Sequence, residues 1–157
     1  MSYNSICFHY VFATRRRSET ITPEYERELY AYIFGTCKNL ASNPTKKQYR
    51  NLKLLRINGI SNHIHLLISA HTSFDMEDFP RDIKRSSSYW LNTQKEKFPK
   101  WEGWSKKYGV FTVSAHEKDM IVNYIKGQKT HHLGQSFEEE MCALAGIPEI
   151  DISEFDE

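Results

Sequence analysis

Two pairs of residues in this chain have the types and spacing to do chemistry. The first is His63 and His65, in the run Asn62-His63-Ile64-His65-Leu66-Leu67-Ile68. Nothing there breaks a strand, and Ile64, Leu66 and Ile68 alternate with His63, His65 and Leu67. Successive strand side chains point to opposite faces, so both imidazoles share a face, with Cα atoms about 6.5–7 Å apart. At that spacing they can converge on one divalent cation. The alternative is a strand whose two polar positions face solvent or a helix, and the pair by itself leaves both open. The second pair is Tyr124 and Gln128, in Tyr124-Ile125-Lys126-Gly127-Gln128. Four residues apart on a helix, they stand on one face. A carboxamide can offer its carbonyl oxygen to a metal, and a phenol can attack a phosphodiester to become a phosphotyrosine. The phenol's ordinary pKa is about 10, so such a site must stabilise the phenolate or take up its proton during attack. Lys126 and Lys129 lie nearby, and the sequence assigns neither as the base.

The elements that must position these residues follow from the pattern. Ser5 to Thr14 is rich in aromatic and β-branched residues and reads as a strand, ending in Arg15-Arg16-Arg17. Thr22-Pro23-Glu24 is a helix start, and Tyr25, Leu29, Tyr30, Ile33 and Phe34 recur at helical spacing as a core stripe to about residue 41. A polar loop over 42–49 leads to a strand over 51–58, and Gly59 to Asn62 turns back into the His63 strand as a hairpin. Asp75, Glu77 and Asp78 open a second helix, whose regular part is expected to begin at Pro80. Trp101, Trp104, Lys106, Lys107 and Tyr108 form an aromatic, basic connection suited either to stacking on unpaired bases or to packing a loop. A last strand over 110–114, a helix from His116 to about Lys129 and a short amphipathic helix near Phe137 to Leu144 complete the chain. This order predicts an α+β fold: one ferredoxin-like antiparallel sheet with helices packed on one face.

Composition bounds the rest. The 157 residues, 39% hydrophobic and 26% charged, suit one globular domain. No apolar run approaches a membrane span and no signal peptide opens the chain, so a cytoplasmic protein is expected. Three separated cysteines without a CxxC pair suit reduced thiols and argue against a zinc ribbon. The net charge of +1 hides an asymmetry, because residues 137–157 hold eight of the 20 acids and no Lys or Arg. A basic body with an acidic tail is compatible with a polyanionic partner and equally with a solvated surface. The tail is expected to pack as a helix and to fray over 147–157.

His63-Ile64-His65 followed far downstream by Tyr124-Ile125-Lys126-Gly127-Gln128 resembles the single-tyrosine HUH transposases of the insertion-sequence 200/605 class. The likeness extends through His9-Tyr10-Val11-Phe12-Ala13-Thr14, Ile57-Asn58-Gly59, Asp82-Ile83-Lys84, Tyr108 to Ser114 and Ser136-Phe137-Glu138-Glu139-Glu140. The chain departs from the pattern in a longer polar insertion around 43–50. The resemblance implies a catalytic domain over 1–135, followed by a short helix and acidic tail over 136–157. His63, His65 and Gln128 would bind one Mg²⁺ or Mn²⁺ per site, weakly without DNA, and Tyr124 would be the nucleophile. The substrate would be single-stranded DNA with hairpins at element ends, cut through a 5′-phosphotyrosine. The protein would be a homodimer in which the tyrosine helix can complete the partner's site. Arg15, Arg16, Arg17, Lys84, Arg85 and Lys126 are the expected DNA contacts. Other readings are a domesticated nickase and a non-catalytic binding module that stacks bases on Tyr10, Phe12, Trp101 or Trp104. A small-molecule phosphoesterase would want a second His-x-Ser/Thr motif, which is missing.

Overall fold

The computed structural model describes residues 3–131, 135–146, 151 and 153. Four strands form one antiparallel sheet: β1 Cys7–Thr14, β2 Lys53–Ile60, β3 His63–Ser69 and β4 Trp104–Val113. They lie in the order β2-β3-β1-β4, so the hairpin β2–β3 flanks β1 and the last strand closes the other edge. With helices α1 Glu26–Ser42 and α2 Asp78–Thr93 in the two connections, this is the ferredoxin-like arrangement expected from the sequence.

The period-2 pattern of the central strands sorts the side chains into two layers. Tyr10 and Phe12 of β1 and Ile64, Leu66 and Ile68 of β3 are fully buried on one face. There they form the main core with Leu29, Ile33, Phe79 and Ile83 of α1 and α2. Val11, Ala13, His63, His65 and Leu67 point to the other face, and that face is covered too. Helix α3 Lys118–Lys126 seats Ile125 against Cys7, Leu67 and Val113, and α5 Phe137–Ala145 seats Phe137 and Met141 against Val11 and Ala13. The histidines are therefore buried between the sheet and the C-terminal helices, not turned to solvent. The tip of Met141 lies over Gly109, 2.7 Å from where a Cβ would stand, so a side chain there would displace that flexible methyl.

Several boundaries differ from those read in the sequence. Helix α2 begins two residues before Pro80, which sits in the first turn where its missing N–H has no intrahelical carbonyl to meet. Strand β4 begins at Trp104, so Trp104, Lys106, Lys107 and Tyr108 of the expected aromatic connection are sheet. Trp101 is 4% exposed and meets Trp104 edge-on at 4.8 Å. Their indole N–H groups donate to Ser88 and Ser87 hydroxyls at 3.3 and 2.9 Å. These two rings pack, as do Tyr10 and Phe12, so the stacking-module reading loses its platform. Phe34, expected in the α1 core stripe, is 45% exposed, because α1 buries only Leu29, Ile33 and Cys37 against the sheet. The expected 116–129 helix is interrupted at Gly127 into α3 and a single turn, α4 Gln128–His131. The predicted fraying over 147–157 lies outside the described residues, apart from Asp151 and Ser153.

Candidate metal and phosphotyrosine site

On β3, His63 and His65 stand side by side as the period predicts, with ring centroids 5.1 Å apart and no exposure. From the helix side, Tyr124 near the end of α3 and Gln128 at the start of α4 reach the same point. The meeting point is a residue the sequence reading did not single out, Glu140 of α5, whose side chain is fully buried. Its Oε1 lies 3.1 Å from His63 Nε2 and 3.1 Å from His65 Nε2. Its Oε2 accepts from the Tyr124 hydroxyl and, at 3.1 Å, from Gln128 Nε2. All four predicted site residues thus converge on one carboxylate within a single chain.

A second layer of partners orients the imidazoles. His63 Nδ1 is 2.7 Å from the Asn62 side-chain oxygen Oδ1, and His65 Nδ1 is 2.7 Å from His9 Nε2. His9 is itself buried on β1, opposite Leu67. Burial first, and the neighbouring His65 second, hold its pKa down to about 3 against the pull of Glu140, so it stays neutral. Tyr124 has its pKa pushed well above the ordinary phenol value, by burial first and then by the hydrogen bond and charge of Glu140, with Gln128 opposing. The phenol is therefore held protonated and pointed at a carboxylate.

The helix is fastened to the sheet next to this point. Asn58 of β2 donates from Nδ2 to the carbonyls of Ile125 and Lys126, each at 3.1 Å. Its Oδ1 accepts from the Lys129 ammonium at 3.0 Å. Lys129 also reaches Glu26 of α1 at 3.0 Å. These groups cross-link β2, the α3–α4 break and α1.

The donor set suits a divalent cation. His63, His65 and Glu140 offer ligand atoms that all lie within 4.8 Å of one another. The 3.1 Å separations from Oε1 to both imidazoles are hydrogen-bond distances, and a carboxylate oxygen beside two ring nitrogens is a ligand set a divalent cation accepts. The surroundings of His63 allow the same. Its two nitrogens face the Asn62 side-chain carboxamide oxygen and the Glu140 carboxylate. A neutral imidazole has one N–H to offer, so the second contact is met by another proton, by the Asn62 carboxamide turned to present its N–H, or by a cation between the ring and the carboxylate.

The expected DNA contacts scatter. Arg15–Arg17 form a one-turn helix leaving β1 beside Ala13, which pairs with His63 in register. Arg15 and Arg16 are exposed, and Arg16 lies 3.7 Å from Glu102. Lys126 is exposed on α3 close to Tyr124. Lys84 and Arg85 are on α2, in the layer across the sheet from Tyr124. The Lys84 ammonium is turned inward, donating to the carbonyls of Ser105 and Lys107 at 2.9 and 3.2 Å over the rings of Phe12 and Tyr108. Lys84 is thereby a strand-to-helix tie and is not presented to a phosphate. No helix among the described residues is long and apolar enough to cross a membrane.

Among solved structures, the chain is similar to a candidate transposase from Deinococcus radiodurans R1, with a TM-score of 0.59 and 24% identity over 81% of this chain and 93% of that one. It is also similar to a REP-associated tyrosine transposase solved bound to a REP hairpin, with a TM-score of 0.57 and 16% identity over 95% of this chain and 81% of that one. Both likenesses are of fold. No curated protein matches the chain. Residues 2–128, from the first strand to the glutamine beside Glu140, match one family throughout, and the chain belongs to the IS200-like transposases.

Proposed function

We propose that the protein cleaves and rejoins single-stranded DNA at hairpin-bearing ends through a phosphotyrosine at Tyr124. What carries the reading is the convergence, in one chain of this family, of the Tyr124 hydroxyl with both strand histidines and Gln128 at a single buried point. A similar structure bound to a REP hairpin supports hairpin DNA as the substrate class. In this reading His63 and His65 hold one Mg²⁺ or Mn²⁺, with the Gln128 carboxamide beside it as a further ligand. The bound cation supplies charge to offset the developing negative charge on the scissile phosphate. Tyr124 Oη attacks phosphorus, the P–O3′ bond breaks, and a 5′-phosphotyrosine and a free 3′-hydroxyl result. The bond energy stays in the ester for later strand joining. In this reading Arg15, Arg16, Arg17 and Lys126 hold the DNA backbone. The protein acts in the cytoplasm as a homodimer, and because Tyr124 reaches the histidines of its own chain, each subunit can hold a site in cis.

The test uses single-stranded DNA carrying the hairpins of the gene's own flanks, incubated with the protein and Mn²⁺. A denaturation-resistant protein–DNA adduct is expected, and it should vanish with Tyr124→Phe and with EDTA. Tight hairpin binding without any adduct would refute the transposase chemistry. Sedimentation of the DNA-bound protein as a monomer would refute the dimer.

A further inference from the structure

Glu140 is unused by the reading above, yet every group in that reading touches it. A fully buried carboxylate is expensive unless it is paired and hydrogen-bonded, and this one is met by His63, His65, Gln128 and Tyr124. Its two oxygens are divided by task. Oε1 faces the two imidazoles, and Oε2 faces the phenol and the carboxamide.

Each side poses a chemical problem that Glu140 answers. On the Oε1 side, the His63 ring lies between the Asn62 carboxamide and the carboxylate, where a cation between ring and carboxylate can be held. Two imidazoles and a carboxamide make a neutral ligand set, of borderline affinity for a hard cation. An added carboxylate makes the set anionic and oxygen-richer, as Mg²⁺ and Mn²⁺ prefer. On the Oε2 side, the Tyr124 hydroxyl is hydrogen-bonded to the carboxylate. Its proton must leave as the Oη–P bond forms, to an acceptor already in hydrogen-bond contact. The structure has Glu140 Oε2 accepting from that hydroxyl.

We propose that Glu140 is a catalytic residue of the site, ligating the divalent cation through Oε1 beside His63 and His65 and accepting the Tyr124 proton on Oε2. The inference rests on the phosphotyrosine reading and adds a residue to it. In the step, the Tyr124 O–H bond breaks and its proton passes to Oε2 as the Oη–P bond forms. The P–O3′ bond breaks, and the departing 3′ oxygen takes a proton from solvent water. Rejoining runs the transfer backwards, with Glu140 returning the proton to the phenol as the ester opens.

The test is Mn²⁺ binding to the DNA-free protein, followed by electron paramagnetic resonance, beside the rate of adduct formation with hairpin-bearing DNA. Glu140→Gln keeps the shape and removes the charge. It should weaken Mn²⁺ at least about tenfold and slow the adduct by about a hundredfold or more. Glu140→Asp, which keeps a carboxylate, should fall between wild type and Glu140→Gln on the metal readout. Unchanged Mn²⁺ affinity in Glu140→Gln would overturn the ligand role. A faster adduct in Glu140→Gln would overturn the catalytic role and make α5 a block on the site. Independently of any variant's folding, crystals of the wild-type protein grown with Mn²⁺ should show the ion against Glu140 as well as His63 and His65. An ion held with Glu140 turned away would overturn the proposal. If wild type makes no adduct while Tyr124→Phe behaves identically, the phosphotyrosine reading has failed. Adduct formation that depends on Tyr124 and is indifferent to Glu140 removes this inference alone.

Discussion

Asn58→Ala is the substitution that best separates the placement of Tyr124 from the chemistry at Tyr124. Asn58 stands opposite His65 in the β2–β3 ladder, but its side-chain amide is turned to the helix. It holds the two carbonyls that follow Tyr124, those of Ile125 and Lys126, and accepts from Lys129. Removing the amide leaves those carbonyls to find water at a half-buried helix end. A net hydrogen bond is worth about 0.5–1.5 kcal/mol, and one to a charged group somewhat more. Two neutral bonds and one charged bond therefore sum to about 3–4 kcal/mol at mid-range values. Lys129 keeps Glu26 as a partner, which lowers the expected loss to about 2 kcal/mol. For a domain of this size that is a fall in Tm of about 4–8 °C. Urea denaturation at pH 7 measures it, and adduct formation should fall with it because Tyr124 loses its fixed distance to β3. Asn58→Asp makes the reasoning sharper. Aspartate is nearest in shape but presents only acceptors to the two carbonyls, so it should destabilise at least as much as alanine despite a better contact with Lys129. Full stability of Asn58→Asp, or a loss below about 0.5 kcal/mol in Asn58→Ala, would show that the amide does not fasten the helix.

Three further perturbations test other parts of the argument. Gly59→Ala should cost about 1–3 kcal/mol or more in urea, because a Cβ there would lie 2.2 Å from the His63 carbonyl oxygen, and it should weaken Mn²⁺ binding by displacing that strand residue. Met141→Ala empties the seat over Gly109 and should raise deuterium uptake across 137–145 while the β1 and β3 amides stay protected; equal loss in both would mean that α5 is not a separately docked element. Lys84 carries a pH signature: burial holds its ammonium down to about 8 from an ordinary 10.5. Below about pH 8 both folded and unfolded chains keep the proton, so the penalty for burying the charge is fully present. Between there and about 10.5 the unfolded chain binds more protons, and stability should rise with pH. Lys84→Met should abolish that rise and stabilise the protein at pH 7 by at most about 3 kcal/mol, less what the orphaned Ser105 and Lys107 carbonyls lose; equal stability–pH slopes in the two proteins would exclude a depressed Lys84.

How much of this was legible depends on how local the signal is. His63 and His65 were readable because a strand's period of two leaves no choice of face once Ile64, Leu66 and Ile68 take the core. Tyr124 and Gln128 were readable because four residues along a helix return to one side, and the break at Gly127 does not undo the pairing. The start of β4 was not readable, since Trp104 to Lys107 carry charges and indoles that suit a loop as well as an edge strand. What brings them into the sheet is the pairing of Trp104 with Thr14, a contact 90 residues distant. Phe34 failed for the complementary reason: the stripe has the right period, but the sheet beneath α1 covers only part of it.

Glu140 is the instructive omission. Among eight acids in the last 21 residues it looked like one more solvated charge. Its position argued otherwise, because Phe137, Met141 and Leu144 lie three before, one after and four after it, placing Glu140 in the middle of the apolar stripe of α5. Glu138 and Glu139, on the other side of the same turn, are exposed. A charge on the buried face of an amphipathic helix has to be met by partners elsewhere, and the partners the chain can supply on that face are imidazoles, a phenol and a carboxamide. The stripe and the two chemical pairs therefore make one constraint: a helix that buries Phe137 and Met141 against β1 must deliver its carboxylate to the histidines.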